Sequence, residues 1–441
     1  MSQETHHEGG PARVVTTESR YSRNPLVRYF RVLGPGLVTG ASDDDPSGIT
    51  TYSVAGASLG YATLWTALAT FPLMTAVQLV CARIGLVTGR GLAGAVRHHY
   101  PRWFLSVACL LLLGANVFNI AADLGGMADA AELLTGLPSM AFVPVFGLTI
   151  IAVTLWTSYT TFAGCLKWLT AVLFAYVVAA FLATPDWRAG LWATIVPEIR
   201  LDRTFVGTLV GILGTTISPY LFFWQASQEV EEERARGRRT LAQRRGATPD
   251  ELSDARLDVA TGMFFSNLVM YFIILATAST LHRAGQHEIE SSRQAAEALR
   301  PLAGDAAYLL FALGIIGTGL LAIPVLAGSA SYAVSELFGW RAGLDFTPHR
   351  ARKFYTVVAA AVAAGMLLDL LRINAIRMLF LSAVVNGLLA PPILVLVMLV
   401  GNNRAIMGEH VNGRWLNLFG WLATAVMAVA ALAFFATSFG G

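Results

Sequence analysis

Eleven stretches of this chain stay apolar for long enough to cross a bilayer, and that property leaves little freedom in how it can fold. They fall near residues 33–60, 61–88, 103–126, 140–158, 161–184, 204–230, 256–281, 304–336, 354–371, 375–400 and 415–438. A helix needs about 20 apolar residues to span the hydrocarbon core. Inside lipid such a helix satisfies its own backbone hydrogen bonds, so the chain is expected to be an all-α polytopic membrane protein. The composition agrees: 55% of the 441 residues are hydrophobic and 13% charged, against about 25% charged in an ordinary soluble domain. A net charge of +3 is too small to point to nucleic acid, and the basic residues have a better use in setting topology. With the amino terminus inside, 23 of the 31 Lys and Arg residues fall on cytoplasmic segments, including the run from Arg234 to Arg256. The positive-inside rule therefore predicts a cytoplasmic amino terminus and an external carboxyl terminus, and the expected location is the plasma (inner) membrane.

Between the spans the signals are local. Residues 1–30 form a polar cytoplasmic tail without the apolar core and small-residue cleavage site of a signal peptide, and His6-His7 within it reads as solvated. Cys81, Cys109 and Cys165 lie in or beside apolar spans without paired spacing, so they read as small packing residues. In the inner loop 231–255, Thr248-Pro249-Asp250-Glu251 is a capping box with proline at the first helical position, and a short cytoplasmic helix is expected to follow. The outer loop 282–303 carries Ala295, Ala296, Ala298 and Leu299 among polar neighbours and predicts a short surface helix.

Two spans are interrupted at corresponding depths. Asp43-Asp44-Asp45-Pro46-Ser47-Gly48 lies inside the first, and Gly214-Thr215-Thr216-Ile217-Ser218-Pro219-Tyr220 inside the sixth. Proline removes a backbone donor and clashes with the preceding turn, so each span is expected to divide into half-helices with freed carbonyls between them. Proline also bends membrane helices without consequence, and Pro324 and Pro392 are read that way. Matching breaks, one beside carboxylates and the other beside hydroxyls, point instead to a cation site near the membrane midplane. A carboxylate at the bilayer centre costs roughly 2.5–3.5 kcal/mol, so three require an internal cavity, protonation or a bound positive charge. A repeat of five spans is odd, so a second copy inserts upside down. The predicted organisation is a first five-helix repeat over 31–184, an inverted second repeat over 204–400, and an eleventh helix within 401–441.

Asp45 sits at the break and is the first candidate ligand, with Thr215 and Ser218 offering oxygens from the sixth span. Asp43 and Asp44 fall on the cytoplasmic side, where they can hold hydrating water, line an exit or cap a neighbouring helix. Asp123 is an intramembrane carboxylate of the third span, to be weighed between proton transfer and a helix–helix hydrogen bond.

Gly34-Pro35-Gly36-Leu37-Val38 leading into Asp45-Pro46-Ser47-Gly48, Ala122-Asp123-Leu124, and Gln294-Ala295-Ala296 running through Gly304 into the eighth span resemble, in that order, motifs of the Nramp family of divalent-metal transporters. The resemblance covers roughly residues 30–400. It implies the inverted-repeat fold of LeuT-type symporters and import of a divalent metal, often with protons, with the metal as substrate and no cofactor. This sequence departs from the family at several positions. Gly48 stands where the family has asparagine, Ser218 replaces its methionine, Tyr220 its histidine, and Gly126 a glutamate. Asn386 lies slightly beyond the position, here Ala383, of a family glutamine. Loss of a thioether favours harder ions, and the chain is similar to a divergent branch, the Nramp-related magnesium transporters. The expected function is alternating-access import of Mg²⁺ or Mn²⁺, with Fe²⁺ also open. A typical proton-coupled Mn²⁺/Fe²⁺ symporter is the alternative, and so is a LeuT-fold symporter of a small organic solute, although the aspartates would repel that solute's carboxylate. No enzyme constellation such as His-Glu-x-x-His lies in the spans, and no obligate protein partner is evident.

Overall fold

A computed structural model describes residues 29, 32–156, 173–371 and 373–439. The amino-terminal tail with His6 and His7, most of the fifth expected span with Cys165 and Lys167, and Arg372 lie outside the described residues. Every regular element among the described residues is helical. The first span is two helices, α1 (Pro35–Asp43) and α2 (Pro46–Leu59). There follow α3 (Trp65–Thr88), α4 (Leu92–Arg97), α5 (Arg102–Thr135), α6 (Phe142–Trp156), α7 (Phe174–Leu182) and α8 (Trp187–Ile195). The sixth span is also two helices, α9 (Arg203–Thr216) and α10 (Pro219–Ala235). The remainder comprises α11 (Leu241–Arg244), α12 (Pro249–Thr277), α13 (Ser292–Ala296), α14 (Arg300–Ala303), α15 (Ala307–Phe338), α16 (Arg352–Asp369), α17 (Ala375–Asn402), α18 (Arg404–Met407) and α19 (Arg414–Phe439).

Eight of the described helical stretches are long and apolar enough to cross a membrane, the divided sixth span among them. The divided first span is not among the eight, and α16, with 18 residues, stands at the ninth expected position. The stretch from Arg203 to Ala235 is almost wholly enclosed, whereas Ser139–Trp156 and Arg414–Ser438 show most of their surface. The broken sixth span therefore runs through the middle of the bundle and α6 and α19 along its edge. Trp103, Leu110, Leu148, Trp156, Trp192 and Leu432 point outward, as expected of a surface solvated by acyl chains.

The four prolines singled out from sequence divide into two kinds. Pro324 and Pro392 lie inside continuous helices, α15 and α17. Pro46 and Pro219 each open a new helix, directly after a residue of extended backbone with an oxygen-bearing side chain. Asp45 accepts from the Gly48 N–H at 2.7 Å, a side-chain N-cap that makes α2 start afresh. Ser218 stands in the same place before α10 but turns its hydroxyl back to the end of α9.

Around the breaks, helices meet backbone to backbone. A Cβ at Gly40 would lie 2.3 Å from the Gly262 carbonyl oxygen, and one at Gly262 would lie 2.1 Å from that of Gly36. This glycine seam seats α1 on α12. Asp258 of α12 completes the seat by accepting from the N–H groups of Gly34, Gly36 and Leu37 at 2.8, 2.7 and 3.1 Å, the free donors of a helix start. In the sixth span, a Cβ at Gly214 would come within 2.0 Å of the Ala383 oxygen and 2.4 Å of the Gly387 nitrogen, so α9 lies directly on α17.

The inner loop differs from expectation. The Thr248–Glu251 capping box forms, but the helix it starts is not short: α12 runs unbroken for 29 residues into the seventh span. The apolar run beyond Asp258 has no stop signal, so the capped first turns and the membrane helix are one element. The short helix of this loop is α11, with its own capping box from Thr240 and Gln243. In the outer loop, α13, α14 and the turn between them form the expected short helices, and Ala295, Ala296, Ala298 and Leu299 are buried. Cys81 and Cys109 are buried and unpaired.

Candidate functional site

The two breaks lie together at the centre of the bundle and are tied by two hydrogen bonds that cross between them. Thr215 of α9 donates to the Tyr52 hydroxyl of α2 at 2.7 Å. Tyr220 of α10 donates to the Ser42 carbonyl of α1 at 2.8 Å. Each half of one broken helix is thus held by a half of the other.

Asp45 is enclosed, with 2% of its surface exposed. Its Oδ1 accepts from the Ser47 hydroxyl at 2.8 Å as well as from Gly48 N, and its Oδ2 accepts from Asn119 Nδ2 of α5 at 3.0 Å. The carboxylate is oriented from both sides and retains acceptor capacity, since two oxygens offer about four lone-pair directions. Gly48 is confined: a Cβ there would sit 3.1 Å from the Asp43 carbonyl oxygen and 3.3 Å from Asp45 Oδ1. A side chain at this position would need these neighbours to give by a few tenths of an ångström, so the glycine leaves the Asp45 cap of α2 undisturbed.

Asp43 and Asp44 are also buried, on the α1 side of the break. The Ser266 hydroxyl of α12 lies 2.7 Å from Asp43 Oδ2 and 3.4 Å from Asp44 Oδ1. Ser218 does not point its proton into open space, for its hydroxyl lies 2.8 Å from the Gly214 carbonyl oxygen and 2.6 Å from that of Thr215. This is the back-bonding common for hydroxyls in membrane helices, and it leaves the oxygen lone pairs as the only part of Ser218 available to a ligand. Asn386 is buried in α17, one residue before the Gly387 that touches α9.

Acceptors outnumber donors here. Asp43 Oδ1 and Asn119 Oδ1 are buried without a hydrogen-bond partner, and the buried Asp123 carboxylate has at most the Ser47 backbone N–H for its two oxygens. Asp123 and Asp43 are each close enough to Asp45 for their charges to repel. A buried carboxylate oxygen without a donor is costly, and a cluster of them is relieved only by a proton or a cation. Among the described residues no three His, Cys, Asp or Glu side chains converge on one metal-sized point, so any ion held here would draw on hydroxyls, amides, carbonyls and its own water as well as on carboxylates. With Asp43, Asp44, Asp45, Asp123, Thr215, Ser218 and Tyr220 all 3% exposed or less, the structure closes this centre to bulk water from both faces.

Asn119, Tyr52 and Ser266 were not singled out from sequence. Asn119 carried a usable signal: Asn116, Asn119 and Asp123 recur at spacings of three and four in an otherwise apolar helix, which puts three polar groups on one face. Tyr52 and Ser266 meet the site across 163 and 223 residues of chain, and no local pattern marks them.

The profile of the Nramp family, described as natural resistance-associated macrophage protein-like, matches residues 36–437. Among curated proteins, the chain is similar to the "divalent metal cation transporter MntH" of Klebsiella pneumoniae (strain 342), with 25% identity over 94% of this chain and 95% of that one. It is likewise 26% identical to the protein of that name from Yersinia enterocolitica, over 94% and 96%. Among solved structures, the Eremococcus coleocola manganese transporter superposes with a TM-score of 0.72 at 19% identity, covering 95% of this chain and 88% of that one. Mhp1, a nucleobase-cation-symport-1 family transporter in a closed conformation, gives 0.56 at 15% identity over 92% and 93%.

Proposed function

Since the chain belongs to the Nramp family, as a multi-pass membrane protein matched over residues 36–437, we propose that it carries a divalent metal cation across the membrane by alternating access. The observation that carries this reading is the surplus of buried acceptors where the two broken helices meet. In this proposal Asp45 neutralises the ion, Thr215 and Ser218 contribute oxygens, and Asp44 and Asp43 hold its hydrating water. Tyr220 and Gly48 fix the geometry of the breaks, and Asn386 stands beside them. The two halves of the bundle act as inverted five-helix repeats with α19 added, and the protein sits in the plasma membrane with its amino terminus inside and imports the ion.

A site of carboxylates, hydroxyls and amides without a thioether favours hard ions. Mg²⁺ keeps several waters and needs few protein ligands, which fits a centre where carboxylates do not converge. Mn²⁺ is the second reading, favoured by the relatives named as MntH and by the solved manganese transporter. In the proton-coupled alternative, Asp123, buried beside Asp45, is the group placed to exchange a proton.

Uptake of Mg²⁺, Mn²⁺ and Ca²⁺ into liposomes holding the purified protein, with internal pH recorded, tests the reading. Saturable Mg²⁺ uptake without acidification is expected for a hard-cation carrier. Mn²⁺ uptake with acidification and without Mg²⁺ uptake would replace it by the proton-coupled symporter. Absence of any divalent uptake above empty vesicles would overturn both.

A further inference from the structure

A second polar cavity, of about 610 Å³, opens on the face where α4 and the loop after α3 meet the ends of α10 and α15. Its walls carry Arg90, Arg97, Arg234, Arg244 and Arg341 against only two carboxylates, Glu231 and Glu336. Both carboxylates are already engaged. Glu336 accepts from the N–H groups of Gly91 and Gly94 at 3.1 and 2.8 Å, and Glu231 from Arg234 and Tyr332 at 3.1 and 3.0 Å. Among the described residues Arg90, Arg97, Arg244 and Arg341 have no carboxylate within ion-pair distance.

Arg244 is the most telling of these. Only 8% of it is exposed, and its Nε and Nη1 donate to the carbonyl oxygens of Gly89, Arg238 and Arg239 at 3.4, 3.1 and 2.8 Å. Carbonyl dipoles orient a guanidinium without cancelling its charge. Glu231 and Glu233 reach Arg244, and Glu336 reaches Arg90, only at a distance and without an ion pair, so the guanidiniums around the cavity outnumber its carboxylates and repel one another unless an anion joins them. Guanidiniums are also the side chains best matched to phosphate oxygens, which they bind in pairs.

We propose that this cavity binds a phosphate-bearing anion, drawn either from the headgroup of an anionic phospholipid or from a soluble phosphate compound. It is separate from the cation path: no residue of α1 or of either break lines it, and its field would repel a divalent metal. An occupant would bridge α4 to α10 and α15, clamping the short helix after α3 against the second half of the broken sixth span. Basic pockets between membrane helices on the positively charged face are where lipid phosphates find direct contact.

The test compares the whole protein with the double variant Arg90→Ala/Arg341→Ala, two lining residues that are not buried, and with Arg414→Ala, outside the cavity, as control. Native mass spectrometry reads phospholipid retained through detergent purification, and calorimetric titration with pyrophosphate reads soluble phosphate. Arg244→Gln, with melting temperature recorded, supplies a second variant should the first fold poorly. Retention of an anionic phospholipid that falls about tenfold or more in the variants, but not in Arg414→Ala, supports the lipid source. No retained lipid, but pyrophosphate binding that weakens by the same factor, supports the soluble one. A wild-type protein that binds neither, or variants that bind as well as wild type, would overturn the proposal.

Discussion

The cap that Asp258 places on α1 makes a quantitative prediction about how firmly the inner half of the first span is seated. Asp258→Ala removes three acceptor contacts, at 2.8, 2.7 and 3.1 Å, from donors that the closed structure leaves without another partner. Replacing a capping side chain by alanine costs about 0.5–2 kcal/mol. A carboxylate that serves three N–H groups belongs at the upper end, so about 2 kcal/mol is expected, or a roughly 30-fold shift in the balance between seated and lifted α1. The lifted state loses nothing, since its N–H groups reach water. The change can be read by cysteine accessibility at Ser42→Cys, a small exchange at a buried position whose hydroxyl bonds only its own helix. Maleimide labelling from the inner face would accelerate up to about 30-fold in the Asp258→Ala background if opening precedes reaction. Asp258→Asn, which keeps an oxygen for Gly34 and Leu37 but not for Gly36, would fall between. An Asp258→Ala protein that folds normally and labels at the parent's rate would refute the idea that this cap holds α1 down.

Other substitutions probe the site and its scaffold. Asp45→Asn is expected to abolish metal uptake in liposomes while leaving the protein folded, because the amide keeps a cap for Gly48 but loses the charge; normal uptake by a well-expressed variant would remove Asp45 from the site. Ser218→Met should move the preference series toward Mn²⁺ and Cd²⁺ over Mg²⁺ in competition uptake, as a thioether suits softer ions, and an unchanged series would show that this position does not set selectivity. Gly214→Ala places a methyl 2.0 Å from the Ala383 oxygen and should destabilise by about 1–3 kcal/mol, the usual cost of overpacking. A lowered unfolding temperature in detergent checks it, and an unaltered one would mean that α9 and α17 part more easily than their contact suggests.

Much of this architecture could be read from residues alone because membranes enforce local rules. The spans follow from apolar length, and Pro46 and Pro219 mark the two breaks by standing at corresponding depths, one beside carboxylates and the other beside hydroxyls. Pro324 and Pro392 have no such matched polar surroundings, and their helices continue. The Thr248–Glu251 box marked a helix start correctly and its length wrongly, for capping chemistry fixes where a helix begins and says nothing of where it ends. The site was legible in its carboxylates and not in their partners. Asn119, Tyr52 and Ser266 are ordinary residues of apolar helices until the fold brings them to Asp45, Thr215 and Asp43. Ser218, a candidate for its hydroxyl or carbonyl oxygen, spends its proton on the carbonyls beside it, as hydroxyls in membrane helices often do.

The seam formed by Gly36, Gly40 and Gly262 has a mechanical consequence. Interlocked side chains resist separation gradually, each re-rotating as its neighbour withdraws. Two bare backbones in van der Waals contact have nothing to re-rotate, and their short-range attractions fade within an ångström or so. A joint of that kind has little middle ground. It is docked or it is free, and a segment as short as the nine residues of α1 can pass between those conditions as one rigid piece, more like a latch than a spring.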